Sequence, residues 1–403
     1  MSHILSITPD FYWVGALDPN LRTFDIIMET EFGTSYNAYL LKGSEGIALF
    51  ESVKDKFFDC YLEKLQSIVS LEDIKYIVVD HTEPDHAGSV AKLLEIAPHI
   101  TVVGSLLAIK YISSMINAPF KSLVVKDGDS ISLGNKTIRF LSVPQLHWPD
   151  TMYSYVDEDR LLITCDSFGA HYSDERVFRS ELEPEKETDY LTAYKYYFDM
   201  IMGPFKPFVL TALNKIKDLS IDFICPGHGM ILDKSNMQTY IDLYETWSQP
   251  VVHERSIVIA YVSAYGYTKQ LAETLEKDIL STGYEGKVHL CNLETEKLDT
   301  VIDKLSTAEG LLLGTPTILA EALPPIWQVL SSLNPVMHRH ITMGCFGSYG
   351  WSGEGPLHVR DRIKQLKCPM PLEPLRILFK PSSEDLEAVK DFSAKFVEAL
   401  NAK

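Results

Sequence analysis

The sequence predicts a two-domain chain of mixed α/β and α+β class, its second domain a doubly wound parallel sheet. Three observations predict it. The chain has 403 residues, more than one hydrophobic core usually organises. Up to about Trp247, β-branched and aromatic runs mix irregularly with helical stretches. Beyond it, near-continuous apolar strands alternate regularly with helices, as a parallel sheet covered on both faces requires.

In the first domain, residues 36–41, 46–50, 76–79, 100–103, 136–141 and 161–164 read as strands bounded by Gly, Asp and Asn. Residues 89–96 and 105–116 read as helices. The aromatic-rich stretch 181–219, around Tyr194, Tyr196 and Tyr197, reads as helix rather than strand. Ser248-Gln249-Pro250 is a breaker, and the polar His253-Glu254-Arg255 leads into a new strand. The expected domains are therefore 1–249 and 254–403. In the second, strands at 257–261, 287–290, 310–314, 341–346 and 375–379 interleave with helices. Two of these helices are at 269–280 and 298–305, two more follow the third and fourth strands, and the last spans 383–400.

Composition narrows the function. With 55 Asp+Glu against 37 Lys+Arg the net charge is −18, which argues against nucleic acid or an anionic membrane as partner. No apolar run approaches the ~20 residues of a membrane span. The opening Met1-Ser2-His3-Ile4-Leu5-Ser6 lacks the basic-then-apolar pattern of a secretion signal, so a cytoplasmic protein is expected. The six cysteines are scattered without a C-x-x-C pair. Reduced thiols follow, and any metal is left to histidine and carboxylate.

In the second domain, three strand-end loops share one edge of the expected sheet. Ser263-Ala264-Tyr265-Gly266-Tyr267-Thr268 opens a helix with small and hydroxyl residues that can wrap a terminal phosphate. Neither a G-x-x-x-x-G-K-[ST] loop nor a G-x-G-x-x-G turn follows this strand, so neither a nucleoside triphosphate nor a dinucleotide is expected. Gly314-Thr315-Pro316-Thr317 follows the third strand, and Gly347-Ser348-Tyr349-Gly350-Trp351-Ser352-Gly353-Glu354 the fourth. One such loop is ordinarily only a turn. Three together are specific, and the segment resembles the flavodoxin domain. By that resemblance, residues 263–268 hold the phosphate of FMN. Thr315, Pro316 and Thr317, with Ser348, Tyr349, Gly350, Trp351, Ser352 and Gly353, line the isoalloxazine, and Trp351 covers it.

The strongest signal lies in the first domain. After the strand 76–79 comes Asp80-His81-Thr82-Glu83-Pro84-Asp85-His86-Ala87-Gly88-Ser89, with two histidines and two carboxylates in the six positions His81-x-Glu83-x-Asp85-His86. Three more strand ends add one potential ligand each: His147 in Leu146-His147-Trp148-Pro149-Asp150, Asp166 in Thr164-Cys165-Asp166-Ser167, and His228 in Cys225-Pro226-Gly227-His228-Gly229.

This series resembles the metallo-β-lactamase fold, an αββα sandwich with a two-metal site whose zinc hydrolases carry H-x-H-x-D-H. Here Glu83 replaces the second histidine, and a third carboxylate beside Asp85 and Asp166 suits iron better than zinc-bound hydroxide. H-x-E-x-D-H joined to a flavodoxin-like domain resembles the flavodiiron proteins, or A-type flavoproteins, over nearly the whole chain. The resemblance implies one iron on His81, Glu83 and His147, another on Asp85, His86 and His228, and Asp166 bridging both. His3, His99, His253, His289, His338, His340 and His358 fall in no such context and read as surface or packing residues. His171, just downstream of Asp166, and Tyr36, Lys54 and Trp148 are candidates for the groups behind the ligands.

The same resemblance implies reduction of dioxygen to water, of nitric oxide to nitrous oxide, or both. Two irons and FMN together supply the four electrons that dioxygen needs, so no peroxide is released. It also implies a head-to-tail homodimer, possibly a tetramer. Electrons are expected from outside (rubredoxin, a reductase or reduced coenzyme F420), because the chain ends at Lys403 without a rubredoxin-like C-x-x-C pair or third domain. Two other readings stay open: a zinc hydrolase fused to a flavodoxin-like module, and a non-catalytic oxygen sensor. Dioxygen is favoured over nitric oxide.

Overall fold

A computed structural model describes residues 4–250 and 255–402 of the chain. The chain falls into two compact units, residues 1–249 and 250–403. The expected opening of the second domain at 254 lies outside the described residues, as do His3 and His253.

The first unit holds a seven-stranded and a six-stranded sheet. Their shared core is set by side-chain alternation. In the strands Tyr39–Gly43, Gly46–Phe50, Ile74–Val78 and Thr101–Gly104, residues Tyr39, Leu41, Ala48, Phe50, Val78 and Val103 pack with Phe140, Val156 and Ile163 of the second sheet. Their neighbours Leu40, Leu49, Ile77 and Val102 face the other way, against Tyr61, Leu65, Leu93 and Ile112 of the helices Phe58–Ile68, Val90–Ile96 and Leu106–Ile116. The second sheet's outer face, with Tyr155, Leu162 and Ile224, meets the helices Glu187–Tyr197, Lys206–Ile216 and Met237–Ser248. The result is the αββα sandwich of the metallo-β-lactamase fold.

The second unit is a flavodoxin-like doubly wound sheet. Five parallel strands run in the order Lys287–Asn292, Ser256–Tyr261, Gly310–Gly314, Thr342–Tyr349, Leu375–Leu378. Ile257 and Ile259 face Leu271, Leu275, Phe392 and Phe396 of the helices Tyr267–Ser281 and Ser383–Asn401. Val258 and Ala260 face Val301, Ile326, Val359 and Ile363 on the other side. Burial on both faces explains the unbroken apolar runs. The strand order reverses beside Ser256–Tyr261, and a ligand crevice opens beyond the carboxyl ends there.

Most boundaries shift by a residue or two, and three elements differ in kind from expectation. The strand read at 36–41 is two, Thr34–Tyr36 and Tyr39–Gly43. At the break, the Asn37 backbone N–H donates to Gly227 O, and its side-chain amide donates to Pro226 O and Gly229 O. The helix read over 181–219 is broken after Tyr197 by a π-turn and a 3₁₀ turn containing Pro204, and resumes at Lys206–Ile216. The strand read at 341–346 runs on to Tyr349, because Phe346 to Tyr349 pair with the edge strand Leu375–Leu378. Gly347, Ser348 and Tyr349 are therefore strand residues, not loop.

Candidate metal centre and flavin groove

The seven expected metal ligands converge at the carboxyl ends of strands from both sheets of the first unit. The turn carrying His81 and Glu83 leaves Ile74–Val78 and enters a short helix, Pro84–Ala87, that carries Asp85 and His86. Asp166 follows Leu161–Cys165, and His228 follows the parallel neighbour Phe223–Pro226.

Two groups form around one carboxylate. Asp166 Oδ2 lies 3.5 Å from His81 Nε2 and 3.4 Å from His147 Nε2. Glu83 Oε2 lies 3.3 and 3.0 Å from the same two nitrogens. The other oxygen, Asp166 Oδ1, lies 3.0 Å from His86 Nε2 and 3.6 Å from His228 Nε2. Asp85 Oδ2 stands 3.6 and 3.0 Å from that second pair. Each oxygen of Asp166 thus serves one set of three.

The electrostatics fit a pair of cations. His81, Asp85, His86, Asp166 and His228 are buried. Neither oxygen of Asp85, nor Asp166 Oδ2, sits in a hydrogen bond, a costly state for a buried carboxylate without a compensating charge. Burial alone would lift the carboxyl of Asp166, but the imidazoles of His86, His147 and His81 hold it well below the usual carboxylate range. Burial likewise disfavours imidazolium at His81 and His147, yet the carboxylates outweigh it and hold them at about 10 and about 9. Four imidazole nitrogens and three carboxylates, with no thiolate facing them, make a hard donor set suited to iron.

Cys165 lies behind the centre, its Sγ 3.6 Å from His86 Nδ1. Burial and the nearby carboxylates push its thiol up, so it stays protonated. His228 Nδ1 donates to Ser35 O at 2.6 Å, which fixes the tautomer that leaves Nε2 free to ligate.

A pocket of about 240 Å³ stands over the centre, walled by Phe24, Ile27, Met28, Met200 and Ile201 and floored by ligand side chains. His171 lines it. Its Nδ1 is hydrogen-bonded to Thr34 Oγ1 at 3.0 Å, its ring packs 4.4 Å from Phe24, and burial pulls it down to about 3, so it is neutral. Tyr36 and Trp148 pack behind ligand rings, 5.9 Å from His228 and 5.1 Å from His81. The Lys54 ammonium sits over the rings of Phe24 and Tyr36, at 5.3 and 5.8 Å. The remaining described histidines that the sequence left aside are not at the centre. His99 contacts Leu71 O, for example, and His358 pairs with Glu321.

Sequence reading missed Tyr197, whose hydroxyl donates to Asp166 Oδ1 at 2.9 Å. The buried stripe Tyr190, Tyr194, Tyr197 marks an inward helix face, but nothing in it names the acceptor. It also missed Asp25 at the rim, whose carboxyl is pushed up to about 6 by burial and by Glu83. A larger cavity of about 410 Å³, lined by Leu213, Ile221, Met237 and Ile241, contains none of the expected site residues.

In the second unit, Tyr265, Tyr267, Pro316, Thr317, Ser348, Tyr349, Gly350 and Trp351 line one groove of about 420 Å³. Ile318 and Phe379 join them unexpectedly. Gly266 has φ +86° and precedes the 15-residue helix Tyr267–Ser281, so its open backbone and the helix N-terminus suit a phosphate. Ser263 Oγ accepts from the backbone N–H groups of Gly266 and Lys269, and Thr268 is hydrogen-bonded to Ser348 Oγ at 3.0 Å beneath the groove. Thr315 is buried and accepts from the Leu323 N–H. Ser352 lines an adjoining cavity with Leu319 and Trp351. Ala264 and Gly353 do not line the groove. Trp351 is 97% exposed, so no part of its own chain packs over it among the described residues.

The comparisons decide the family. A family model described as ODP family beta lactamase matches residues 34–229. The type A flavoprotein FprA of Rhodobacter capsulatus is 36% identical over 99% of this chain and 92% of its own length. The flavo-diiron protein FprA2 of Clostridium acetobutylicum is 36% identical over 98% of this chain and 99% of its own. This chain belongs to the flavodiiron proteins. Among solved structures, the flavodiiron fold seen here matches the rubredoxin oxygen:oxidoreductase of Desulfovibrio gigas with TM-score 0.70 and 28% identity, covering 99% of both chains. The flavodiiron protein of Giardia intestinalis matches with TM-score 0.68 and 25% identity over 99% and 97%. Flavodiiron proteins are oxidoreductases that carry FMN and a diiron centre. No helix among the described residues of this flavodiiron protein is long and apolar enough to cross a membrane.

Proposed function

We propose that this flavodiiron protein reduces dioxygen to water, in the cytoplasm, with electrons passing from a separate carrier to FMN and then to the diiron centre. One iron is assigned to His81, Glu83 and His147, the other to Asp85, His86 and His228, and Asp166 bridges them. Residues 1–249 form the diiron domain and 254–403 the FMN domain, with the flavin in the groove between Tyr265, Pro316 and Trp351. The observation that carries the reading is Asp166, with one oxygen turned to each three-ligand group beneath a small pocket. With both irons and FMN bound, two electrons from the metals and two from the reduced flavin balance O2 + 4 e⁻ + 4 H⁺ → 2 H2O.

The chain's own residues do the rest. Phe24, Ile27, Met28 and Ile201 give the small pocket one apolar wall, opposite the carboxylates and imidazoles, with room for a diatomic molecule. The Tyr197 hydroxyl holds a proton against Asp166 Oδ1 and fixes the bridging carboxylate. His171, neutral and tied to Thr34, presents Nε2 without a hydrogen-bond partner in the wall. The likeness to a protein named rubredoxin oxygen:oxidoreductase favours dioxygen over nitric oxide as substrate.

A head-to-tail homodimer accounts for exposed apolar side chains near both sites: Ile27 at the metal pocket with its neighbour Ile26, and Trp351 at the flavin groove with Leu319 in the adjoining cavity. The test is anaerobic stopped-flow of the reduced, FMN- and iron-loaded protein against O2 and NO in parallel, on material whose mass is measured by sedimentation. Faster, complete reoxidation by O2 in a dimer or tetramer is expected. Faster reoxidation by NO, with nitrous oxide as product, overturns the dioxygen assignment, and an obligate monomer overturns the assembly.

A further inference from the structure

Asp150 lies outside the ligand set yet touches both loops that supply one half of it. It stands three residues after His147, and it is buried. Its Oδ2 accepts the Thr82 backbone N–H at 2.9 Å and the Thr82 hydroxyl at 2.8 Å. Thr82 is the residue between His81 and Glu83. The same oxygen stands 3.4 Å from His81 Nδ1, on the side of the ring away from Asp166, close to it but not in a hydrogen bond. One carboxylate therefore joins the His81–Glu83 turn to the His147 loop and also backs the His81 ring. The other half of the centre is built differently. His86 Nδ1 has Cys165 Sγ at 3.6 Å and Glu51 Oε2 at 4.0 Å behind it, and His228 Nδ1 donates to the Ser35 carbonyl.

We propose that Asp150 is a positioning residue for one metal site only: it clamps the turn bearing His81 and Glu83 to the loop bearing His147, and so tightens the iron they share. A carboxylate behind a ligating imidazole fixes its orientation and raises its basicity, and loss of such a partner typically weakens metal binding about 10–100-fold. The two loops do not depend on Asp150 alone for their fold, since the Met152 N–H also donates to Asp80 O across them at 3.0 Å. The inference rests on the ligand assignment proposed above.

The test is anaerobic Fe²⁺ titration of metal-free, FMN-loaded protein, with Mössbauer spectra of the ⁵⁷Fe-loaded samples and the thermal midpoint of each metal-free sample. The variants are Asp150→Ala, Asp150→Asn and Thr82→Val. Wild type that fails to take up two irons defeats the ligand assignment itself, before Asp150 enters. Given two irons in wild type, Asp150→Ala is expected to weaken one iron about 10–100-fold and leave the other at wild-type affinity. Asp150→Asn keeps an acceptor for the Thr82 N–H and is expected to recover some of that loss. Thr82→Val, which removes only the hydroxyl bond, is expected to cost least. If Asp150→Ala does not fold, the isosteric Asp150→Asn decides by the same one-iron criterion. Parallel weakening of both irons, or wild-type affinity for both, overturns the proposal.

Discussion

Asp166→Ala is expected to abolish gas reduction, at least a hundredfold below wild type, and to leave less than one iron per chain while FMN stays stoichiometric. The floor on the effect follows from rank: losing an outer partner of a ligand already costs about 10–100-fold in affinity or activity, and under the proposed assignment Asp166 would ligate both metals itself. Its two oxygens lie within 3.6 Å of all four ligand imidazoles, so its removal leaves four rings facing too little negative charge. Flavin content should not follow, because the groove is built entirely from the second unit. Asp166→Asn, which keeps the shape and the bond from Tyr197 but halves the donor character, is expected to fall between. Metal analysis and the flavin absorbance of the same samples check both variants. Two irons held by Asp166→Ala at wild-type affinity would remove the bridge from the account.

Gly347→Ala is expected to damage the other cofactor. A Cβ at Gly347 would lie 1.8 Å from the Thr315 carbonyl oxygen, a backbone atom that cannot swing aside. Thr315 begins the loop that lines the groove, and its N–H donates to Phe346 O while the Thr317 N–H donates to Ser348 O. Inserting a methyl group there must push apart the hydrogen-bonded segments on which the flavin would rest. Overpacking of this kind costs roughly 1–3 kcal/mol, and if borne by the groove it weakens FMN binding about tenfold or more. Fluorescence titration with FMN reads the affinity, and iron content serves as the control in the first unit. Unchanged FMN affinity would mean that the crevice beside Gly347 is not where the ring sits.

The convergence of the candidate ligands was largely legible because most of them crowd into one turn. Four candidate ligands in the six positions from His81 to His86 are visible without a fold, and His147, Asp166 and His228 each follow a readable strand. The groove of the second unit was legible from the strand-end loops, because a doubly wound sheet opens its crevice at strand ends. What stayed hidden depends on contacts across long stretches of chain. Tyr197 meets Asp166 across 31 residues, and Asp150 meets Thr82 across 68. The break at Asn37 is made by acceptors at Pro226 and Gly229, nearly 200 residues away, so a local run of apolar residues read as one strand. Gly347 to Tyr349 read as loop because glycine and serine are poor strand formers. Their pairing with Leu375–Leu378 outweighs that preference.

The central claim is that one buried carboxylate joins two metal positions that both hold iron. Elemental analysis together with Mössbauer spectroscopy of the purified protein, loaded with ⁵⁷Fe, tests it most directly. Two irons per chain, spin-coupled to each other, and one FMN are the expected result. Zinc in place of iron, or irons that show no coupling, would contradict it.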